Sequence, residues 1–136
     1  MKKVSLVLAI AFGAVFFAWS QTNGGQAEKS QLDATWELVA GQQLPKDARV
    51  IKIISGGHFI FAAYDTEKGE LLYTGGGTYI LNRSSYTEHV DFGDKLSAGI
   101  VGKDQQFTVK IDGDTFIQAG TLSNGKRLLE TWKRIN

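Results

Sequence analysis

The 136-residue chain has room for one domain but not for two of ordinary size. It contains no cysteine, which excludes disulfides, thiolate metal sites and a cysteine nucleophile, and offers no lipobox cysteine for an acyl anchor. With 15 basic and 14 acidic residues, the net charge of +1 makes no electrostatic case for nucleic acid or an anionic membrane surface.

Residues 1–20 read as an export signal. Met1-Lys2-Lys3 is a short basic start, residues 4–19 are apolar apart from Ser5 and Gly13, and Ala18 and Ser20 are small residues at the two positions a signal peptidase reads. Cleavage is expected after Ser20, which leaves 13 basic against 14 acidic residues, a net −1. The apolar run is short against the roughly 20 residues of a membrane-spanning helix, and no positive cluster follows it. A secreted or periplasmic protein without a stable membrane span is expected. Residues 21–31 are polar and read as a flexible linker, and the folded domain is expected over 32–136.

Beyond Leu32 the apolar spacing has period two, and turn signals recur. Strands are expected over 35–40, 50–55, 58–64, 71–81, 86–92, 106–112, 115–122 and 127–135, with 96–101 readable as a short strand or a loop. Gly56-Gly57, Asp112-Gly113 and Asn124-Gly125 mark tight hairpin turns. Gly75-Gly76-Gly77, inside the longest run, predicts a bulge or sharp bend. Eight or nine antiparallel strands joined by short connections predict an all-β fold, an up-and-down barrel, with a two-sheet sandwich as the rival.

Trp36 on the first strand and Arg134 on the last resemble the signature of the calycin superfamily, in which a C-terminal arginine packs on an N-terminal tryptophan at the closed end of a barrel. Ala34 stands where that superfamily has a glycine. The stretches Ile51-Lys52-Ile53-Ile54, Gly57-His58-Phe59, Gly75-Gly76-Gly77-Thr78-Tyr79, Tyr86-Thr87-Glu88, Phe107-Thr108-Val109-Lys110-Ile111 and Glu130-Thr131-Trp132 are similar to a family of small secreted bacterial lipocalin-like proteins of unknown function. The resemblance implies a lipocalin-like barrel; it implies no activity.

Strand alternation assigns faces. Phe107, Val109 and Ile111 point inward, which sends Lys110 to solvent. Tyr86, Glu88, Val90 and Phe92 share the inward face of their strand, with His89 outside; Leu128, Glu130, Trp132 and Arg134 share the inward face of the last. Tyr73 and Tyr79 have the parity of Leu71 and Leu81, unless the glycine run shifts it. Two carboxylates, Glu88 and Glu130, are thus expected inside, where an ionised group needs a partner. Either they bind a cationic or hydroxyl-rich ligand against aromatic walls, or Arg134 or the tyrosine hydroxyls satisfy them in an internal network.

The expected function is binding of a small, partly apolar ligand in the barrel. The candidate ligand-binding residues are Tyr79, Tyr86, Glu88, Glu130 and Trp132, with Phe61 and Tyr73 as further walls and Trp36 and Arg134 as a structural signature. The alternative is a filled barrel acting as an envelope-associated protein-interaction module. An enzyme is the third reading, and it would need an open pocket holding at least one carboxylate with a strongly shifted pKa: paired carboxylates suit glycoside hydrolysis only at a set separation, a lone buried glutamate could shuttle a proton, and no nucleophile elbow occurs. His58 and His89 are the only histidines, a poor metal set without cysteine, and no cofactor is expected. The glycine run precedes no helix, so a phosphate loop does not fit.

Overall fold

The computed structural model describes residues 29–136; the export segment and residues 21–28 of the linker lie outside the described residues. Eight strands follow in order: β1 Ala34–Ala40, β2 Ala48–Ser55, β3 His58–Asp65, β4 Leu71–Asn82, β5 Ser85–Gly93, β6 Asp104–Asp112, β7 Thr115–Thr121 and β8 Arg127–Arg134. Each pairs antiparallel with the next, and β8 returns to β1, so the sheet closes into an up-and-down barrel. Closure removes the open edges a sandwich would keep. Residues 96–101 form turns, not a ninth strand.

The period-two pattern builds the core. Val50, Lys52 and Ile54 of β2, Tyr86, Glu88 and Val90 of β5, and Phe107 and Val109 of β6 are all buried while their neighbours are less so. The β2–β3 turn needs two consecutive left-handed residues, and Gly56 and Gly57 supply φ of 57° and 82°.

One end of the barrel is filled. Trp36, Phe116 and Trp132 form an aromatic layer, with Trp36 edge-on to Phe116 at 4.8 Å and Phe116 stacked on Trp132 at 5.8 Å. Leu32, fully buried just before β1, caps this layer, and its carbonyl accepts the Trp36 indole N–H at 2.8 Å. Each such side chain contributes roughly 1.5–3 kcal/mol by leaving water. Arg134, opposite Trp36 in the β1–β8 pairing, lies 4.4 Å over the Trp36 ring. It also meets Asp114 at 3.3 Å and donates to the Gln31 carbonyl at 3.3 Å.

Two expected side-chain directions are corrected by bulges. Gly76 pairs with Phe92 but Gly77 pairs with Val90, so Asp91 is an extra residue on β5. The slip reverses the parity beyond it, and Phe92 points outward, 49% exposed, with its ring lying where a Gly76 side chain would begin. Likewise Ala63 pairs with Tyr73 and Tyr64 with Leu71, which makes Leu72 an extra residue and turns Leu71 out to 60% exposure. Tyr73, Tyr79 and Leu81 keep the inward face. The three glycines are not themselves the bulge: an added Cβ would meet the Phe61 ring at Gly75, the Phe92 ring at Gly76 and the His89 carbonyl oxygen at Gly77. They let the barrel wall come close on both faces.

Candidate functional site

Above the aromatic layer the barrel is open, enclosing a cavity of about 310 Å³. Strand alternation carries Lys52 inward from β2, Phe61 from β3, Tyr73 from β4, Glu88 from β5, Gln118 from β7, and Glu130 and Trp132 from β8. The turns after β5 and between β7 and β8 contribute Leu96, Ile100, Leu122 and Lys126 to the cavity wall.

The polar floor centres on Lys52, only 3% exposed. Its ammonium donates to Glu88 Oε1 at 2.8 Å and Gln118 Oε1 at 3.1 Å, and lies 4.9 Å from the centre of the Trp132 ring. Glu88 Oε1 also accepts the Tyr86 hydroxyl at 2.7 Å. Taking two charges out of water costs several kcal/mol per ion, and these extra bonds are what make a buried pair tolerable. Burial, then the neighbouring Glu88 charge, push the Tyr86 hydroxyl well above its ordinary range, so it serves as a fixed donor.

A second chain of bonds reaches the other carboxylate. The Tyr73 hydroxyl donates to Gln42 Oε1 at 2.8 Å, and the Gln42 amide donates to Glu130 Oε1. Gln42 thereby has its amide orientation set from one side and hands its N–H to the acid on the other. Glu130 is 3% exposed, and burial pushes its carboxyl upward, with Glu88 adding to the rise and Lys52, Gln42 and the Trp132 indole opposing it. Burial, with the Glu130 charge in support, raises the Tyr73 hydroxyl to about 12. The buried Trp132 indole N–H has no aligned acceptor.

A family model described as a domain of unknown function, DUF4488, matches residues 31–136. The chain belongs to that family. None of the curated proteins compared with it matches.

In this DUF4488 barrel, five of the seven residues singled out from the sequence, Glu88, Glu130, Trp132, Phe61 and Tyr73, line one cavity. The other two do not reach it. Tyr86 is fully buried beneath, behind Glu88. Tyr79 lies at the other end, where its hydroxyl donates to Asp33 at 3.0 Å and its ring borders a shallow depression with Lys29 and Arg83. Arg134 does not serve the acids: it is held on Trp36 by the closed end, and the cation that pairs Glu88 is Lys52. Lys52 was legible in principle, because it has the parity of Val50 and Ile54. Gln118 has the parity of Phe116. Gln42 lies in the β1–β2 connection, where no periodicity assigns a direction. His58 and His89 are exposed on the outer wall, and among the described residues no group of three or more His, Cys, Asp or Glu stands ready to hold a metal.

Proposed function

We propose that this protein is an exported, lipocalin-like carrier that holds a small, partly apolar molecule in the open half of its barrel. The observation that carries the reading is the cavity: its volume of about 310 Å³ is at the low end of small-molecule sites, and its lining joins aromatic and aliphatic walls to a few fixed polar groups. Eight strands give a barrel wide enough for one such ligand. The Trp36–Arg134 stack supports the lipocalin-like assignment, and the basic, apolar, small-residue pattern of residues 1–20 supports export. A filled barrel working only through its surface fits the open volume less well. Catalysis by paired carboxylates fits less well too, because Glu88 is already committed to Lys52 and Tyr86.

The test is native mass spectrometry of the protein purified from the envelope fraction of its own host, with sequencing of its N-terminus. A reproducible adduct that is lost on denaturation, on a chain beginning at Gln21, is the expected result. Bare protein at full occupancy of the folded state counts against a carrier, and a chain retaining residues 1–20 in the cytoplasm counts against export.

A further inference from the structure

The buried charges on the cavity wall do not balance. Lys52 is the one buried cation on its wall, and it is bonded to Glu88. Glu130, equally buried, has no salt bridge among the described residues; its protein partner is the neutral Gln42 amide on Oε1. Lys126, the remaining cation on the wall, is exposed near the mouth. An isolated ionised carboxylate in such a place is expensive, and it is relieved either by a proton or by a cation brought from outside.

We propose that the ligand is a small amine with an apolar body, bound with its ammonium on Glu130 and its body among Phe61, Leu128, Leu122 and Ile100. This rests on the carrier reading and names its ligand class. Gln42, held by the Tyr73 hydroxyl, fixes one oxygen of the carboxylate; beyond it only the Trp132 indole N–H, which has no aligned acceptor, helps hold the charge. The Phe61 and Tyr73 rings, 6.1 Å apart on the wall of the same cavity, suit a cation desolvated from water. A neutral hydroxyl would leave the surplus charge uncompensated; an ammonium cancels it. Of the titratable groups that face Glu130, Lys52 from β2 favours its charged form and Glu88 from β5 opposes it, while Tyr73 from β4 stays protonated. Because burial raises the Glu130 carboxyl, a proton and an ammonium compete for the same group, and acid favours the proton.

The experiment is calorimetric titration of the full chain with 2-phenylethylammonium and with its neutral counterpart 2-phenylethanol. At pH 7.5 the amine should bind about ten-fold tighter, the size of one charge-assisted hydrogen bond. In Glu130→Gln that advantage should vanish while 2-phenylethanol still binds, which also shows that the variant is folded. In the unsubstituted protein the amine should weaken on acidification, and the alcohol should not. Equal binding of the two probes, or an amine preference that survives Glu130→Gln, overturns the ammonium assignment and leaves the carrier reading intact. Binding of neither probe overturns the assignment, and joined to a bare native mass spectrum it removes the carrier reading as well.

Discussion

Lys52 and Glu88 meet at 2.8 Å inside the barrel, with side chains only 4% and 6% exposed. The pair comes from non-adjacent strands, β2 and β5, and so spans the interior. It ties opposite walls together beneath the cavity, with Tyr86 and Gln118 completing the bonds.

Breaking this pair from one side should be costly. Lys52→Met leaves Glu88 buried without its cation and is expected to lose about 3–5 kcal/mol in urea unfolding. The double variant Lys52→Met/Glu88→Gln should recover more than half of that loss. Recovery would mean that the cost lies in the orphaned charge; a double variant as unstable as the single one would mean that the pair itself holds the walls.

Glu130 sets a pH dependence of the opposite kind from a paired surface acid. Its carboxyl is raised in the folded state by burial, so the folded protein holds that proton more tightly than the unfolded chain does. Its contribution to stability is therefore full below the ordinary glutamate value of 4.5 and is lost as pH rises through the raised folded value. Glu130→Gln, which mimics the protonated acid, should melt higher than the unsubstituted protein at pH 8, and the gap should close toward pH 4.5. Parallel melting curves at both pH values would place Glu130 in a solvated setting.

The glycine run makes a sharper prediction than a propensity argument. At Gly77 a methyl group would strike the backbone oxygen of His89, which cannot swing aside, so Gly77→Ala should destabilise by about 1–3 kcal/mol or more. Gly99→Ala is the control: its nearest neighbours are Asn124 side-chain atoms at 3.8 and 3.9 Å, and its melting point should barely move.

At the closed end, Arg134→Ala removes a cation from the Trp36 face and should cost about 0.5–1 kcal/mol. The Asp114 contact adds little, because that carboxylate is 67% exposed. Chemical denaturation of Arg134→Ala and Asp114→Asn side by side separates the two contributions.

Much of this architecture was legible in the sequence because period-two alternation and glycine turns are local signals. They were enough to expect a closed barrel and to send Glu88, Glu130 and Trp132 inward. The directions of Phe92 and Leu71 were not legible, since each depends on one extra residue, Asp91 or Leu72, whose effect exists only against the neighbouring strand. Lys52 was obscured by its setting: Ile53, its neighbour on the outer face, is 47% exposed, so both faces of β2 are apolar and alternation there has little contrast. Gln42 acts through a loop conformation, and Tyr79 was misplaced along the barrel axis, a coordinate that parity does not contain.

Closure by the last strand also dictates when the cavity comes into being. Trp36 finds Arg134 only after nearly the whole domain has been made, and the same closing strand brings Glu130 and Trp132 to the wall. Such long-range pairing is slow to form. A nascent chain released before β8 would have seven strands, two exposed edges and an unfinished cavity wall. An enclosed interior thus belongs only to the finished, closed molecule.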